Sequence, residues 1–325
     1  MKTEHFFQRM SDGIEVAVTR WIPDAVGRPR AIVQISHGMV EHVLRYEEYA
    51  RALTEHGFMV SAHDHRGHGM TAEHAVELGT GQFGVFAERD GFTRVVDDLD
   101  EVILRAEHDY PGIAVILFGH SFGSFVAQSY IERYASHSAG CILCGSAGPR
   151  RLLTAAGRCV ATVVCACRGR THRSPFLQKL AFGSYCARIP DAVTGFEWLT
   201  RDLAYIKKYA DDPWCGFLPS AGFFYDMLDG LCRIHARRAI RAIPHHLPVL
   251  LISGGEDPVG SYGQTVTALA ALYKSIGMKD VTSTIYAGAR HELLNETNRA
   301  DIMRDTIQWL ERVTRRADGN TAAGC

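Results

Sequence analysis

The stretch that decides the fold is Ile113-Ala-Val-Ile-Leu-Phe-Gly-His-Ser-Phe-Gly123, in which a serine lies between two glycines. It begins as a short apolar run, typical of a buried strand, and residues with helical spacing follow from Ser124. A tight strand-to-helix turn needs small residues, and Gly119 and Gly123 supply them on either side of Ser121. The pattern predicts a turn that presents the Ser121 hydroxyl as a nucleophile.

The composition indicates a large globular protein. The 325-residue chain has 46% hydrophobic and 22% charged residues, enough for one large domain or a domain with an insertion. Its 35 basic and 36 acidic residues are interleaved, which excludes a broad electrostatic surface for nucleic acid. The nine cysteines are odd in number and scattered, as is typical of a reducing cytoplasm. We predict a cytoplasmic protein with no nucleic-acid partner.

Strands and helices alternate on both sides of the serine. One antiparallel strand is predicted near the start, over 15–21. The apolar runs that predict buried strands are 31–36, 58–63, 113–118, 140–144, 249–253 and 281–286. The stretches with helical spacing are 46–56, 92–109, 124–136, 264–276 and 298–312. This alternation indicates an α/β fold with a mostly parallel central sheet flanked by helices.

The alternation stops between residues 148 and 247, where aromatic residues, arginines and short helical pieces replace the buried strands. We predict a core formed by 1–147 and 248–316, interrupted by a helical cap at 148–247. A cap inserted there would lie over the carboxyl ends of the strands, where open α/β sheets bind ligands. Residues 317–325 are small and polar and are predicted to form a flexible tail.

A serine hydroxyl becomes a strong nucleophile only when a base removes its proton and an acid orients that base. Both partners are predicted on loops after later strands. The loop after the strand at 249–253 supplies Asp257, with Glu256 as its local competitor, and the loop after the last strand supplies His291. The chain order of serine, acid and histidine predicts a catalytic triad of Ser121, Asp257 and His291.

An oxyanion hole needs two backbone N–H donors, one from the residue after the nucleophile and one from a loop after an early strand. Phe122 supplies the first donor. The strand at 31–36 is followed by a loop in which Gly38 permits a tight turn and Met39 is placed to donate second. The polar residues expected to brace this loop are Glu41, His42, Arg45 and Tyr46, and the alternative for them is a direct role in substrate binding.

Five motifs together resemble a known family. They are H-G-M-V-E-H-V-L-R-Y at 37–46, D-H-R-G-H-G at 64–69, G-H-S-F-G at 119–123, G-G-E-D at 254–257 and A-R-H-E at 289–292. The set is similar to the monoacylglycerol lipase and lysophospholipase branch of the α/β hydrolases, over nearly the whole chain. The resemblance implies an α/β-hydrolase fold and a serine hydrolase that uses the triad and oxyanion donors named above. The expected partner is a small-molecule ester of one acyl chain, with no cofactor and no metal.

The resemblance also implies that the cap forms an apolar acyl tunnel. The apolar cap residues given this role are Phe217, Phe223, Phe224 and Met227. The alternative is that these side chains form the small core of the cap itself. A basic cluster at 168–173 lies beside the apolar run 159–167. It is expected either to be solvated or to bring the cap into transient, peripheral contact with an anionic membrane surface.

Other functions stay open on the same fold: a general carboxylesterase, an acyltransferase, an aminopeptidase and a non-catalytic ligand sensor. An aminopeptidase would need acidic cap residues to bind a free amine, and Glu197, Asp202 and Asp226 are available. The histidines of 63–68 and the cysteines of 141–144 have spacings seen in metal sites. We expect no metal at either, because the first stretch matches the family motif and the second reads as a buried strand.

Overall fold

The computed structural model describes residues 1–24 and 27–322, which are organised around one eight-stranded sheet. The strands are β1 (Lys2–Arg9), β2 (Glu15–Ile22), β3 (Ile32–Ser36), β4 (Met59–His63), β5 (Val115–His120), β6 (Gly140–Cys144), β7 (Val249–Gly254) and β8 (Val281–Tyr286). Their order across the sheet is β1-β2-β4-β3-β5-β6-β7-β8. The pairs β1/β2 and β2/β4 are antiparallel and all the others are parallel. The predicted α/β fold with a mostly parallel sheet is confirmed.

Helices cover both faces of the sheet and its carboxyl edge. Within the described residues they are α1 (Glu47–Glu55), α2 (Gly69–Glu77), α3 (Gly91–Asp109), α4 (Phe122–Arg133), α5 (Arg151–Arg168), α6 (Pro175–Phe182), α7 (Leu203–Asp211), α8 (Ala221–Ile234), α9 (Arg237–Ile240), α10 (Gln264–Ser275) and α11 (Arg299–Ala322). Helices α5 to α9 all lie between β6 and β7. We call residues 148–247 the cap.

Strand β5 is buried along its whole length, which explains its unbroken run of apolar residues. Successive side chains of a strand point to opposite faces. Val115 and Leu117 pack in the core with α3, α4 and α10, whereas Ile116 and Phe118 pack in the core with α1 and α11. These two apolar layers hold β5 in the middle of the sheet and fix the position of the serine turn at its carboxyl end.

Some elements differ from those predicted. Strand β1 is not predicted by the sequence pattern, because it pairs only with β2 at the sheet edge and has many exposed polar residues. Helix α2 is also missed, since it is only nine residues long and mixes four polar residues with small ones. Helix α11 continues into the predicted tail as far as Ala322, since one glycine costs only about 1 kcal/mol in a helix. The rest of that tail, 323–325, lies outside the described residues.

None of the helices in the described ranges combines the length and the apolarity that crossing a bilayer requires.

Candidate active site

Ser121 occupies the turn between β5 and α4. Its backbone has φ +51° and ψ −118°, which is rare for a residue with a side chain. The Ser121 amide donates a hydrogen bond to the Cys144 carbonyl oxygen at 2.9 Å. Both glycines are required, because a Cβ atom at either position would clash. A Cβ on Gly119 would lie 2.5 Å from the Gly123 carbonyl oxygen, and a Cβ on Gly123 would lie 2.0 Å from the Ser36 carbonyl oxygen. The half-buried serine therefore sits in a strained turn with the geometry of a nucleophile elbow.

The two predicted partners of the serine lie together at the same sheet edge. Nδ1 of His291 lies 3.0 Å from Oδ2 of Asp257. This is an ion-pair distance, although the angle falls outside that of a well-formed hydrogen bond. Asp257 is fully buried, and its Oδ1 accepts a hydrogen bond from the Val259 amide at 2.9 Å. Its competitor Glu256 is exposed, so the histidine is paired with Asp257.

The loops that carry the serine and the histidine are in contact. The ring of His120, which precedes Ser121, lies 5.0 Å from the ring of His291, centroid to centroid. At the end of β6, a Cβ on Gly145 would lie 3.0 Å from Cε1 of His291. Trp198 of the cap also packs on the His291 ring at 4.9 Å, and its carbonyl oxygen accepts from the His291 amide at 3.3 Å. The imidazole is therefore enclosed by the serine turn and the cap.

The two predicted oxyanion donors lie on segments that touch. Gly123, next to Phe122, packs directly against the carbonyl oxygens of Ser36 and His37, which lead into the turn of Met39. Among the described residues, neither the Met39 amide nor the Phe122 amide donates to a backbone carbonyl. Both amides therefore stay candidates for the predicted role of oxyanion donor.

The cap is attached to the turn that contains Met39. Val40, the next residue, has φ +50°, a strained conformation for a β-branched side chain. Its carbonyl oxygen accepts hydrogen bonds from the Gly216 amide at 2.9 Å and the Tyr209 hydroxyl at 3.1 Å. Both donors belong to the cap, which therefore helps to hold the strained turn.

Glu41 braces the same turn from within the core. Its Oε1 accepts from the Gly38 amide at 2.5 Å and from the Tyr46 hydroxyl at 2.8 Å, and lies 3.1 Å from Nδ1 of His120. Burial alone would raise the pKa of Glu41, but Arg45 and His120 hold that pKa well below its usual range. Burial alone would lower the pKa of His120, but the hydrogen bond to Glu41 raises it. Glu41 is therefore ionised in the folded protein.

Arg45 connects this network to the histidine loop. It contacts Glu41 and donates to Oε1 and Oε2 of Glu292 at 2.7 and 2.6 Å. Glu292 directly follows His291 and also accepts from the Asn295 side chain at 2.9 Å. Glu292 was not predicted from the sequence, because its partner lies 247 positions away. This buried bridge fixes the turn of Met39 relative to the histidine loop.

The histidine-rich stretch after β4 packs against the start of the turn of Met39, with the ring of His65 4.2 Å from that of His37. Nδ1 of His37 lies 2.7 Å from the Gly38 carbonyl oxygen, and its Nε2 accepts from the His65 amide at 2.9 Å. Burial lowers the pKa of His63 to about 3 and that of His68 to about 4, so both rings are neutral. These contacts favour a structural role for the stretch, as its family motif implies.

Three of the four predicted acyl-binding residues lie beside the turn of Met39, which we call the oxyanion turn after its predicted role. Phe223 is almost fully buried and its ring lies 5.7 Å from that of Phe122. Phe224 is equally buried and packs in the cap core, against which Met39 and Met227 also pack. Phe217 lies on the other side of His68, with its ring 5.5 Å from His68 and 5.6 Å from Phe83, and His68 is also 5.8 Å from the ring of Phe223.

The acidic cap residues considered for amine binding already have partners. Glu197 accepts from the amides of Val193, Thr194 and Gly195 at 2.8, 2.7 and 2.9 Å. Burial would raise its pKa, but these amide hydrogen bonds lower the pKa to about 2. Asp202 caps α7, and Asp226 is paired with Arg170 at 2.6 Å. These contacts disfavour the recognition of a free amine.

The comparison with known proteins agrees with this geometry. The family Hydrolase_4, described as "Serine aminopeptidase, S33", matches residues 27–298. The chain belongs to this family. This α/β hydrolase is 28% identical to the monoacylglycerol lipase of Mycolicibacterium smegmatis, over 95% of this chain and 97% of the relative. It is 30% identical to human monoglyceride lipase, over 88% of this chain and 82% of the relative.

A solved structure shows the same likeness over the whole hydrolase. The thermostable carboxyl esterase from Bacillus coagulans, in complex with glycerol, matches with a TM-score of 0.85 at 26% identity. The match covers 97% of this chain and 99% of the esterase. The resemblance to the monoacylglycerol lipase branch is confirmed.

Proposed function

We propose that this hydrolase cleaves glycerol-type esters of a single acyl chain, of the monoacylglycerol or lysophospholipid class, through an acyl-enzyme on Ser121. The protein is a carboxylic ester hydrolase, and the proposal adds its catalytic residues and its substrate class. One observation carries it: Asp257 and His291 lie 3.0 Å apart, next to the strained turn of Ser121.

The geometry supports a two-step mechanism. Nε2 of His291 removes the Ser121 proton as the serine oxygen attacks the ester carbonyl carbon. The negative charge that forms on the carbonyl oxygen is stabilised by the amides of Met39 and Phe122. His291 then gives its proton to the leaving alcohol, and a water molecule repeats the sequence to release the fatty acid. Asp257 orients the imidazole and stabilises its positive charge without taking the proton.

The acyl chain is assigned to the apolar boundary between the oxyanion turn and the cap. Met39 and Met227 are half-buried and pack against both the main core and the cap core. Methionine side chains adapt to irregular apolar partners, which suits a chain of variable length. A cavity of about 210 Å³ has Phe86 and Phe223 in its wall, together with charged and polar side chains. Both rings contact Phe122, the residue after the nucleophile.

The relatives support a glycerol ester as substrate. Two of them are named as lipases of monoacylglycerol or monoglyceride, and the Bacillus coagulans esterase is described with glycerol bound. An amide substrate with a free amine is disfavoured, because Glu197 is hydrogen-bonded to its own loop and Asp226 is paired with Arg170.

The cap surface supports transient contact with a lipid surface. Large apolar side chains are exposed on α5 and α6: Leu152, Leu153, Val163, Phe176 and Leu180. The exposed cation Arg168 lies at the end of α5. Apolar side chains flanked by cations are typical of helices that lie on anionic membranes. A substrate with one long acyl chain would enter from such a surface.

A substrate panel tests the proposal. The panel contains p-nitrophenyl esters of increasing acyl length, monoacylglycerol, lysophosphatidylcholine and aminoacyl-naphthylamides. We expect turnover of the single-acyl glycerol esters and none of the naphthylamides. Ser121→Ala should lower kcat by at least ~10³-fold, as removal of a triad member does in other serine hydrolases. Ser136→Ala is the matched control, because Ser136 is exposed and distant in the chain from the turn.

The acid of the triad is tested by a second pair of variants. Asp257→Asn should lower kcat by a factor on the order of 10⁴, because the wrong imidazole tautomer is then favoured. Glu256→Gln, at the neighbouring exposed position, should leave kcat unchanged. If the protein prefers acetyl and butyryl esters and does not hydrolyse monoacylglycerol, the proposed substrate class is wrong and the protein is a general carboxylesterase. Transfer of the acyl group to added glycerol instead of water would indicate an acyltransferase.

A further inference from the structure

A group of three metal-ligand residues lies outside the proposed triad. We define the His–Asp–Cys cluster as His42, Asp212 and Cys215. Each residue offers one potential ligand atom, and the three atoms all lie within 4.8 Å of one another. His42 follows the oxyanion turn, whereas Asp212 and Cys215 follow α7 in the cap. The cluster therefore joins two parts of the chain that are 170 positions apart.

The cluster is pre-organised by its surroundings. Nε2 of His42 lies 2.9 Å from Oδ2 of Asp212, and the imidazole packs edge-on against Trp214 at 5.2 Å. His42 and Cys215 are buried, with 5% and 8% of their surfaces exposed. Nδ1 of His42 is buried and has no hydrogen-bond partner among the described residues. Asp212 is partly exposed, which leaves a path from solvent to the ligand atoms.

The donor set has the chemistry of a zinc-type site. Imidazole nitrogen, thiolate sulfur and carboxylate oxygen are the ligands that Zn²⁺ prefers. Ligand atoms around tetrahedral zinc are separated by roughly 3.5 Å, given metal–ligand distances of about 2.0 to 2.3 Å. Atoms at the 4.8 Å limit of the cluster would have to approach by about 1.3 Å, whereas Nε2 of His42 and Oδ2 of Asp212, now 2.9 Å apart, would have to separate by about 0.6 Å. A water molecule entering beside Asp212 would supply the fourth ligand.

We propose that His42, Asp212 and Cys215 bind a divalent cation of the Zn²⁺, Co²⁺ and Cd²⁺ class. Binding breaks the hydrogen bond between Nε2 of His42 and Oδ2 of Asp212 and moves the imidazole proton to Nδ1, the nitrogen without a partner among the described residues. The thiol proton of Cys215 is released to solvent as the metal–nitrogen, metal–oxygen and metal–sulfur bonds form. The dication is then balanced by one thiolate and one carboxylate. No metal is expected from the sequence, because only the fold brings the three residues together.

The bound cation would attach the cap to the oxyanion turn more firmly. Two hydrogen bonds from the cap, donated by the Gly216 amide and the Tyr209 hydroxyl, already reach the carbonyl oxygen of Val40, two residues before His42. A metal between His42 and Cys215 therefore adds a third connection between the same two segments. This inference is independent of the ester substrate, since its test uses no substrate.

Spectroscopy with Co²⁺ tests the site directly. The full-length protein is reduced, freed of metal with a chelator, and titrated with Co²⁺ and separately with Zn²⁺. We expect one equivalent to bind, a sulfur-to-cobalt charge-transfer band, and a rise in Tm with Zn²⁺. Cys215→Ser should remove the band and weaken binding at least ~10-fold, and Asp212→Asn should weaken binding by a similar factor.

An exposed cysteine provides the matched control. Cys159→Ser, on the surface of α5, should keep both the band and the affinity. Loss of the band in Cys159→Ser, or a band that survives in Cys215→Ser, would overturn the proposal, as would the absence of stoichiometric binding to the wild type. Circular dichroism of each variant without metal separates loss of the site from loss of the fold.

Discussion

Replacing Glu292 with glutamine should weaken both the fold and the proposed catalysis. Glu292 receives two hydrogen bonds from Arg45, at 2.7 and 2.6 Å, and its side chain is 5% exposed. A hydrogen bond to a charged group contributes about 1.5 to 3 kcal/mol, and breaking a whole buried ion pair costs about 3 to 5 kcal/mol. Glutamine retains one acceptor oxygen for Arg45, and the ion pair between Arg45 and Glu41 remains. We therefore expect Glu292→Gln to lower the free energy of unfolding by about 2 to 3 kcal/mol.

The same change should lower kcat more than it changes KM. The bridge fixes the turn of Met39 relative to His291, and a shift of about 1 Å between reacting groups costs on the order of 10²-fold in rate. We expect a fall in kcat of roughly 10- to 100-fold. Urea unfolding gives the stability and steady-state ester hydrolysis gives kcat and KM, each compared with Glu256→Gln, an exposed glutamate on the neighbouring loop. A stability within about 0.5 kcal/mol of the wild type, together with wild-type kcat, would refute the reasoning.

Three further changes have defined outcomes. Burial raises the pKa of Glu132 to about 9, so its ionisation destabilises the folded state as pH rises from the usual value of 4.5 towards 9. Glu132→Gln should therefore raise Tm at pH 8 and not at pH 4, and equal effects at both pH values would contradict this. Gly123→Ala should lower Tm or prevent folding, because its Cβ would lie 2.0 Å from a carbonyl oxygen of β3, whereas Gly157→Ala in α5 should be tolerated. Phe176→Glu should reduce the fraction of protein that sediments with anionic vesicles, because Phe176 is exposed on the cap. Leu104→Glu, at an exposed position of α3, should not reduce it. Equal losses in the two variants would show that the cap is not the surface that binds the vesicles.

Much of the core and of the site could be predicted because the relevant signals are local. The apolar run before Ser121 predicts a strand that is buried on both faces, and the structure has it in the middle of the sheet. Asp257 and His291 could be named because each follows a strand, and parallel strands bring their carboxyl ends to one edge. The sequence already favours Asp257 and leaves Glu256 as a competitor, and the burial of Asp257 beside an exposed Glu256 favours the same choice.

The contacts that cross the fold could not be predicted. Glu292 meets Arg45 across 247 positions, and His42 meets Asp212 across 170. Neither pair has a sequence period or spacing that would reveal it. The role of the cap aromatics also depends on packing. Phe217 and Phe223 look alike in sequence and both contact His68, yet Phe223 also packs on Phe122 whereas Phe217 packs on Phe83.

Covalent labelling of the nucleophile, as a phosphonyl adduct or as the acyl-enzyme, is the most direct test of the proposed mechanism. The protein is treated with a fluorophosphonate, or quenched in acid during turnover of a single-acyl ester, and its peptides are examined by mass spectrometry. We expect one adduct, on Ser121, that is absent from Ser121→Ala and strongly slowed in His291→Ala, while Ser136→Ala is labelled like the wild type. An adduct on another residue, or wild-type turnover by Ser121→Ala, would contradict the proposed mechanism.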